Sequence, residues 1–87
     1  MLTITLAATM ALCEDEARRA GELMALRQSG AARSQIEAVA DGYQDPVWAT
    51  QILPELLDAE TSDDPEVREL AAYHFAALAH ARCTGGL

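Results

Sequence analysis

TLAATMALCEDEARRAGELMALRQ, residues 5–28, sets Leu6, Met10, Cys13, Ala17, Gly21 and Met24 at steps of three and four. That is the period of one face of an α-helix, and Leu23 and Leu26 widen the stripe. Glu14, Asp15, Arg18, Arg19 and Glu22 fall mostly on the other faces. Glu14–Arg18 and Asp15–Arg19 stand four apart in the favourable order, each pair adding about 0.2–0.5 kcal/mol to a helix. Gly30 stops the segment, as glycine does just past a helix end.

Downstream, Ser34 followed three residues later by Glu37 reads as a capping box, opening a short helix with Ile36, Val39 and Ala40 on its apolar side. Gly42 ends it, and Asp45-Pro46 reads as the cap and first-turn proline of a third helix. Trp48, Ile52 and Leu56 follow at four-residue steps. Pro54 has no N–H to donate and crowds the preceding turn, so the helix kinks there or restarts with Pro54 in the first turn of Pro54–Glu60. A polar loop, Thr61–Asp64, leads into Asp64-Pro65-Glu66, which opens a last helix running to about Arg82. Val67, Leu70, Ala71, His74, Phe75, Leu78 and Ala81 mark its expected core face, and Gly85-Gly86 ends it. No segment alternates like a strand. The expected fold is all-α: one domain over residues 1–87, a small bundle of four to five helices with the long first and last helices antiparallel.

Upstream, the apolar run Met1–Leu12 is too short to span a bilayer. It has two readings. Its length and Thr9-Met10-Ala11 suit a signal-peptide remnant, although no Lys or Arg precedes it. Alternatively, these residues form the first turns of the first helix.

An 87-residue chain buries only about 60% of its unfolded surface, so a staple would matter. With 51% apolar residues, five Gly and three Pro, it is neither a disordered tail nor a linker. Fourteen acidic residues face six basic ones, all Arg, and the net charge of −8 argues against nucleic acid or an anionic membrane as partner. Cys13 sits early on the first helix and Cys83 at the end of the last. If those helices run antiparallel the two meet, and a bond between them closes nearly the whole chain; loop entropy then contributes about 4–5 kcal/mol. The other reading is two unpaired thiols buried in a cytosolic protein. Two cysteines without CxxC or His-x-Cys spacing do not supply a zinc site.

The order Cys13, Ala20-Gly21-Glu22-Leu23-Met24, Arg27-Gln28-Ser29-Gly30, Leu56-Leu57-Asp58-Ala59 and Cys83 resembles small, uncharacterised exported proteins of bacteria and prophages. Those are all-helical, with a Met-x-x-Arg-Gln-x-Gly segment between an early cysteine and one at the end of the last helix. The resemblance spans Cys13 to Cys83, carried mainly by Met24, Arg27, Gln28, Gly30 and the two cysteines. It implies periplasmic export and a disulfide, and carries no established activity. Glu60–Pro65 departs from the aromatic-Glu-x-Pro-Arg-like stretch expected after the third helix.

Nothing in the chain has the pattern of catalysis. His74 and His80 stand six apart, on different sides of one helix. His74 is expected to pack in the core, and His80 to favour the helix C-terminus. The carboxylates face solvent by pattern, and no phosphate loop, nucleophile elbow or metal motif is present. No enzyme, cofactor or metal is expected.

The acids are unevenly distributed. Nine of them lie between Asp41 and Glu69 with only Arg68 opposing, against five acids and four Arg before Asp41. Asp58, Glu60, Asp63, Asp64, Glu66 and Glu69 are therefore the candidate partner-binding residues, on a surface that suits a basic protein; the plainer reading is a solvated face that aids solubility. Three functions fit: a non-enzymatic interaction protein, exported to the periplasm or secreted and encoded in a bacterium or prophage; a cytoplasmic acidic inhibitor of the phage type, acting on a basic host protein; or a small periplasmic chaperone similar in outline to the acid-stress class. Leu2, Ile4, Leu6 and Leu12 exceed what one small core needs when the far end of the last helix offers mainly alanine, so a homodimer is expected as well.

Overall fold

A computed structural model describes residues 6–43 and 51–85, with side chains from residue 11 onward in the first stretch. Among these residues there are four helices and no strand: α1 (Leu6–Gln28), α2 (Arg33–Asp41), α3 (Leu53–Asp58) and α4 (Pro65–Thr84). The expected Asp45-Pro46 cap and Trp48 fall outside the described residues. α3 begins at Leu53 with Pro54 in its first turn, as one of the two expected readings has it, and residues 51–52 before it form a π-helical turn.

The two long helices pack against each other along their length. Cys13 and Cys83 form a disulfide with their Cα atoms 5.4 Å apart. Further along, a Cβ built on Gly21 would lie 3.4 Å from the Ala72 carbonyl oxygen and 3.5 Å from the Ala76 Cβ. Numbers on α4 fall as those on α1 rise, so the pair is antiparallel. Arg82 donates to the Gln51 carbonyl at 3.2 Å and pairs with Glu55 at 2.7 Å, near the disulfide. At the other pole Arg27 donates to the Ala59 carbonyl. The segment 51–60 therefore runs from one pole to the other, parallel to α1. α2 covers α1 and α3 and inserts Ile36. Ala20, Leu23, Met24, Ile36, Ile52, Leu56, Phe75 and Ala79 form the single buried cluster among the described residues.

The core face of α4 is rotated from the expected one and shares with it only Ala71, Phe75 and Leu78. Phe75 and Ala79 are buried, with Ala71, Ala72 and Leu78 packed against the cluster. Val67 and Leu70, by contrast, are 46% and 65% exposed, and His74 and Ala81 are exposed too. His74 is therefore a surface residue and not a core histidine. The reason lies in Cys83. Its bond to Cys13 turns its own side of α4 toward α1, and steps of three and four back from it reach Ala79, Phe75 and Ala76, and Ala72. On α1 the stripe agrees better: Cys13, Ala20, Leu23 and Met24 are buried and Ala17 and Gly21 half-buried. The Leu6 and Met10 side chains lie outside the described residues.

Local signals at the helix ends are mixed. Gly30, with φ of 91°, adopts the left-handed conformation that a side chain disfavours. The Gly30 N–H donates to Arg27 O and the Ala31 N–H to Leu26 O, both at 3.1 Å, which is the Schellman pattern. α2 starts earlier than Ser34, with Ala32 as its flanking residue. Gln35 Oε1 accepts the Ala32 N–H at 2.9 Å, so Gln35 makes the backward bond expected of Glu37. Glu37 pairs with Arg33 instead, at 2.9 Å. On α1, Asp15 accepts both Arg18 and, at 2.8 Å, Arg19, so the expected Glu14–Arg18 pair is replaced. The Arg18 hydrogen bond holds the Asp15 carboxyl below the usual range.

Two outcomes follow for stability. Reducing the disulfide, or replacing both cysteines by serine, is expected to lower unfolding free energy by about 4–5 kcal/mol. Urea denaturation with and without reductant measures it, and the double variant should be insensitive to reductant. Gly21→Ala places a methyl group at ordinary contact distance and removes a mid-helix glycine, so a gain of up to about 1 kcal/mol is expected. Gly21→Leu should push the helices apart and cost about 1–3 kcal/mol in the same assay.

Candidate functional site

The loop Ala59–Asp64 joins α3 to α4 and is held from below by the last residues of α1. Gln28 is only 3% exposed, although its residue type is mostly found at surfaces. Its side-chain amide donates to Glu60 O at 2.8 Å and accepts the Ser62 N–H at 3.0 Å. Both ends of the buried amide are thus satisfied by loop backbone, as burial requires. Arg27 adds a forked contact, Nε and Nη2 reaching Ala59 O at 3.2 and 3.1 Å. From the other side Arg68 donates to Ser62 O and lies 3.6 Å from the Asp63 carboxylate. Ser62 Oγ accepts the Asp64 N–H at 3.1 Å, and the Asp64 carboxylate accepts the Glu66 N–H at 2.9 Å, capping α4.

On this frame all six candidate acids, Asp58, Glu60, Asp63, Asp64, Glu66 and Glu69, are exposed. They gather at the pole away from the disulfide. Among the described residues only Asp63 of the six has an ion-pair partner, the Arg68 guanidinium. The N-terminus of α4 favours negative charge there. Glu66 and Glu69 border a hollow of about 370 Å³ shared with Leu70 and Tyr73. On the other side of Leu70 and Tyr73 lies a shallow groove of about 480 Å³, completed by Val67, Ala71, His74 and Ala77. Tyr73 is 75% exposed. Leu12 is 65% exposed on α1, whereas Leu2 and Ile4 fall outside the described residues.

Among the remaining titratable groups, Arg19 makes a contact that ties the fold together. It lies over the Tyr43 ring, 4.8 Å from its centroid, tying α1 to the end of α2. Burial, reinforced by Glu22, pushes the Tyr43 hydroxyl above its usual range. His80 is half-buried on α4. No group of three His, Cys, Asp or Glu converges as metal ligands among the described residues. No helix among them is long and apolar enough to cross a membrane.

All six acids expected at a docking surface are exposed, whereas the clamp and the exposure of the outer face of α4 do not show in the sequence. Gln28 stands out in the sequence only through the resemblance, because a glutamine at a helix end is ordinarily solvated. The outer face reads in the sequence only as apolar spacing, and Val67, Leu70, His74 and Ala81 belong by that spacing to the expected core face.

No family model, curated protein or solved structure matches the chain. Fold and site together define a disulfide-stapled, all-helical bundle that presents acids on a fixed loop beside an exposed apolar helix face.

Gln28→Ala should leave the Glu60 carbonyl and Ser62 N–H without partners, at a cost of about 1–3 kcal/mol. Amide exchange is expected to accelerate first at Ser62 and its neighbours, while the amides facing the Gly21–Ala76 contact stay protected. A uniform change along the chain would argue against a local clamp.

Proposed function

We propose that the chain is a non-enzymatic interaction protein, exported to an oxidising compartment and of bacterial or prophage origin, that docks a basic protein at its acidic pole. The observation that carries this reading is the Cys13–Cys83 disulfide, which bridges a separation of 70 residues in a chain with a small core. Such bonds persist in the periplasm and outside cells, and are reduced in the cytosol of most organisms. The residues behind the resemblance also gain a physical role: Arg27 and Gln28 hold the acidic loop, and Gly30 turns the chain beneath it. A motif that fixes a loop in place suits a protein whose function is the shape and charge it presents. The absence of a catalytic pattern in the sequence supports binding over turnover.

The charge supports a basic partner. Five of the six acids enter no ion pair among the described residues, so a cationic surface would meet charges not already neutralised. Complementary fields raise association rates more than they lengthen lifetimes. A cytoplasmic inhibitor would use the same acids, and the redox state of the cysteines separates it from the exported reading.

Alkylation of protein purified from its native host without reductant is expected to label neither Cys13 nor Cys83. Substantial labelling would remove the case for export. Replacing Asp63 and Glu66 together by Asn and Gln is expected to slow association with the native partner several-fold at low salt, and to flatten its salt dependence. Loss of negative charge beside the α4 N-terminus also costs up to about 1 kcal/mol per residue, so melting is followed in parallel. Unchanged association with a lowered melting point would assign these acids to the helix and to solubility.

A further inference from the structure

α4 carries two apolar seams, and the fold uses only one. The inner seam, Ala72, Phe75 and Ala79, packs on α1 in the register set by Cys83. The outer seam is Val67, Leu70, His74, Ala77 and Ala81, all exposed. Its spacing of three, four, three and four is the heptad pattern by which one helix seats against another. Its larger apolar residues are Val67 and Leu70, with Tyr73 beside them, and its small residues Ala77 and Ala81 allow close approach. The stretch from Val67 to Ala81 is about 21 Å long, four turns of a docked helix.

We infer that this outer seam is a docking groove for one amphipathic helix, basic along one flank, belonging to a partner protein. The inference rests on the proposed docking at the acidic pole and specifies what docks and where. Leu70 and Tyr73 form a ridge with a different hollow on each side. The apolar groove toward His74 and Ala77 takes the partner's apolar face. The hollow bordered by Glu66 and Glu69 takes its Lys or Arg side chains.

Charge complementarity selects this occupant over the alternatives. A second copy would bring another chain of net charge −8 to a rim where Glu66 and Glu69 are already unpaired. Arg82 sits near the far end of α4 and could oppose those acids in an antiparallel copy, but it is engaged by Glu55 and the Gln51 carbonyl. An anionic lipid surface is repelled by the same rim. The seam is narrow, so the interface falls at the small, transient end of the range, and steering by charge matters accordingly.

The test uses the oxidised full chain and a designed, fluorescently labelled 15-residue helical peptide with leucines at heptad positions and lysines along one flank. Two controls accompany it: a scrambled peptide of the same composition, and the same helix with glutamates on the flank. Anisotropy titration is expected to give micromolar binding for the first peptide and at least tenfold weaker binding for both controls. Leu70→Ala combined with Tyr73→Ala should weaken the first peptide at least tenfold without lowering the melting point, because both side chains are exposed. Amide chemical shifts should change along Val67–Ala81. Equal binding of the scrambled peptide, or binding indifferent to the Leu70 and Tyr73 substitutions, would overturn the groove. If affinity then fell only with Asp63→Asn and Glu66→Gln, docking at the acidic pole would stand without it. A dimer seen by light scattering and dissolved by Leu70→Ala and Tyr73→Ala would assign the seam to a second copy and likewise overturn the inference.

Discussion

The covalent bond between Cys13 and Cys83 fixes more of this molecule than its ends. It sets α1 and α4 antiparallel at one pole and chooses which side of α4 faces inward. Once that side is fixed, Gly21 must meet Ala72 and Ala76, and the small residues at that crossing let the helices approach closely. The buried cluster has few large side chains, chiefly Leu23, Met24, Ile36, Ile52, Leu56 and Phe75. A core of that size gives limited stability alone, and the crosslink acts mainly by restricting the unfolded chain.

At the other pole, hydrogen bonding takes over from covalent chemistry. Gln28 is buried and bonded on both sides of its amide, so displacing the loop would leave a donor and an acceptor unpaired. That cost makes the loop a defined surface despite its polar sequence. The acids it carries therefore keep a fixed arrangement relative to α4.

Much of the fold was legible because its signals are local. Helical spacing, Gly30, Asp64-Pro65 and Pro54 each act within a turn or two, and each appears in the structure in the expected role. The cysteine positions indicated the pairing of the long helices. The rotation of α4 was less accessible, because its seams of Val67, Leu70 and His74 and of Ala72, Phe75 and Ala79 are both apolar enough to pass for the buried one. Hydrophobicity favours the wrong seam, since Val67 and Leu70 are larger than alanine. The tertiary constraint of Cys83 overrode it. The Ser34 cap gave way in a similar manner, because Gln35 supplied the same backward bond two residues earlier. The site divides along the same line: charge could be read residue by residue, but the buried Gln28 contact joins residues 32 and 34 apart.

The antiparallel pairing also gives the molecule a direction. The chain enters α1 and leaves α4 at the same pole, while the acidic loop lies past Gln28, about 22 Å further along α1 from Cys13. An attachment made at the first turn of α1 or the last turn of α4 would sit at the disulfide pole, like a hand on a handle. The opposite pole then points outward, with its loop and the near end of the α4 seam clear of the attachment. A label, a tether or a neighbouring domain at either end would leave that pole free to meet its partner.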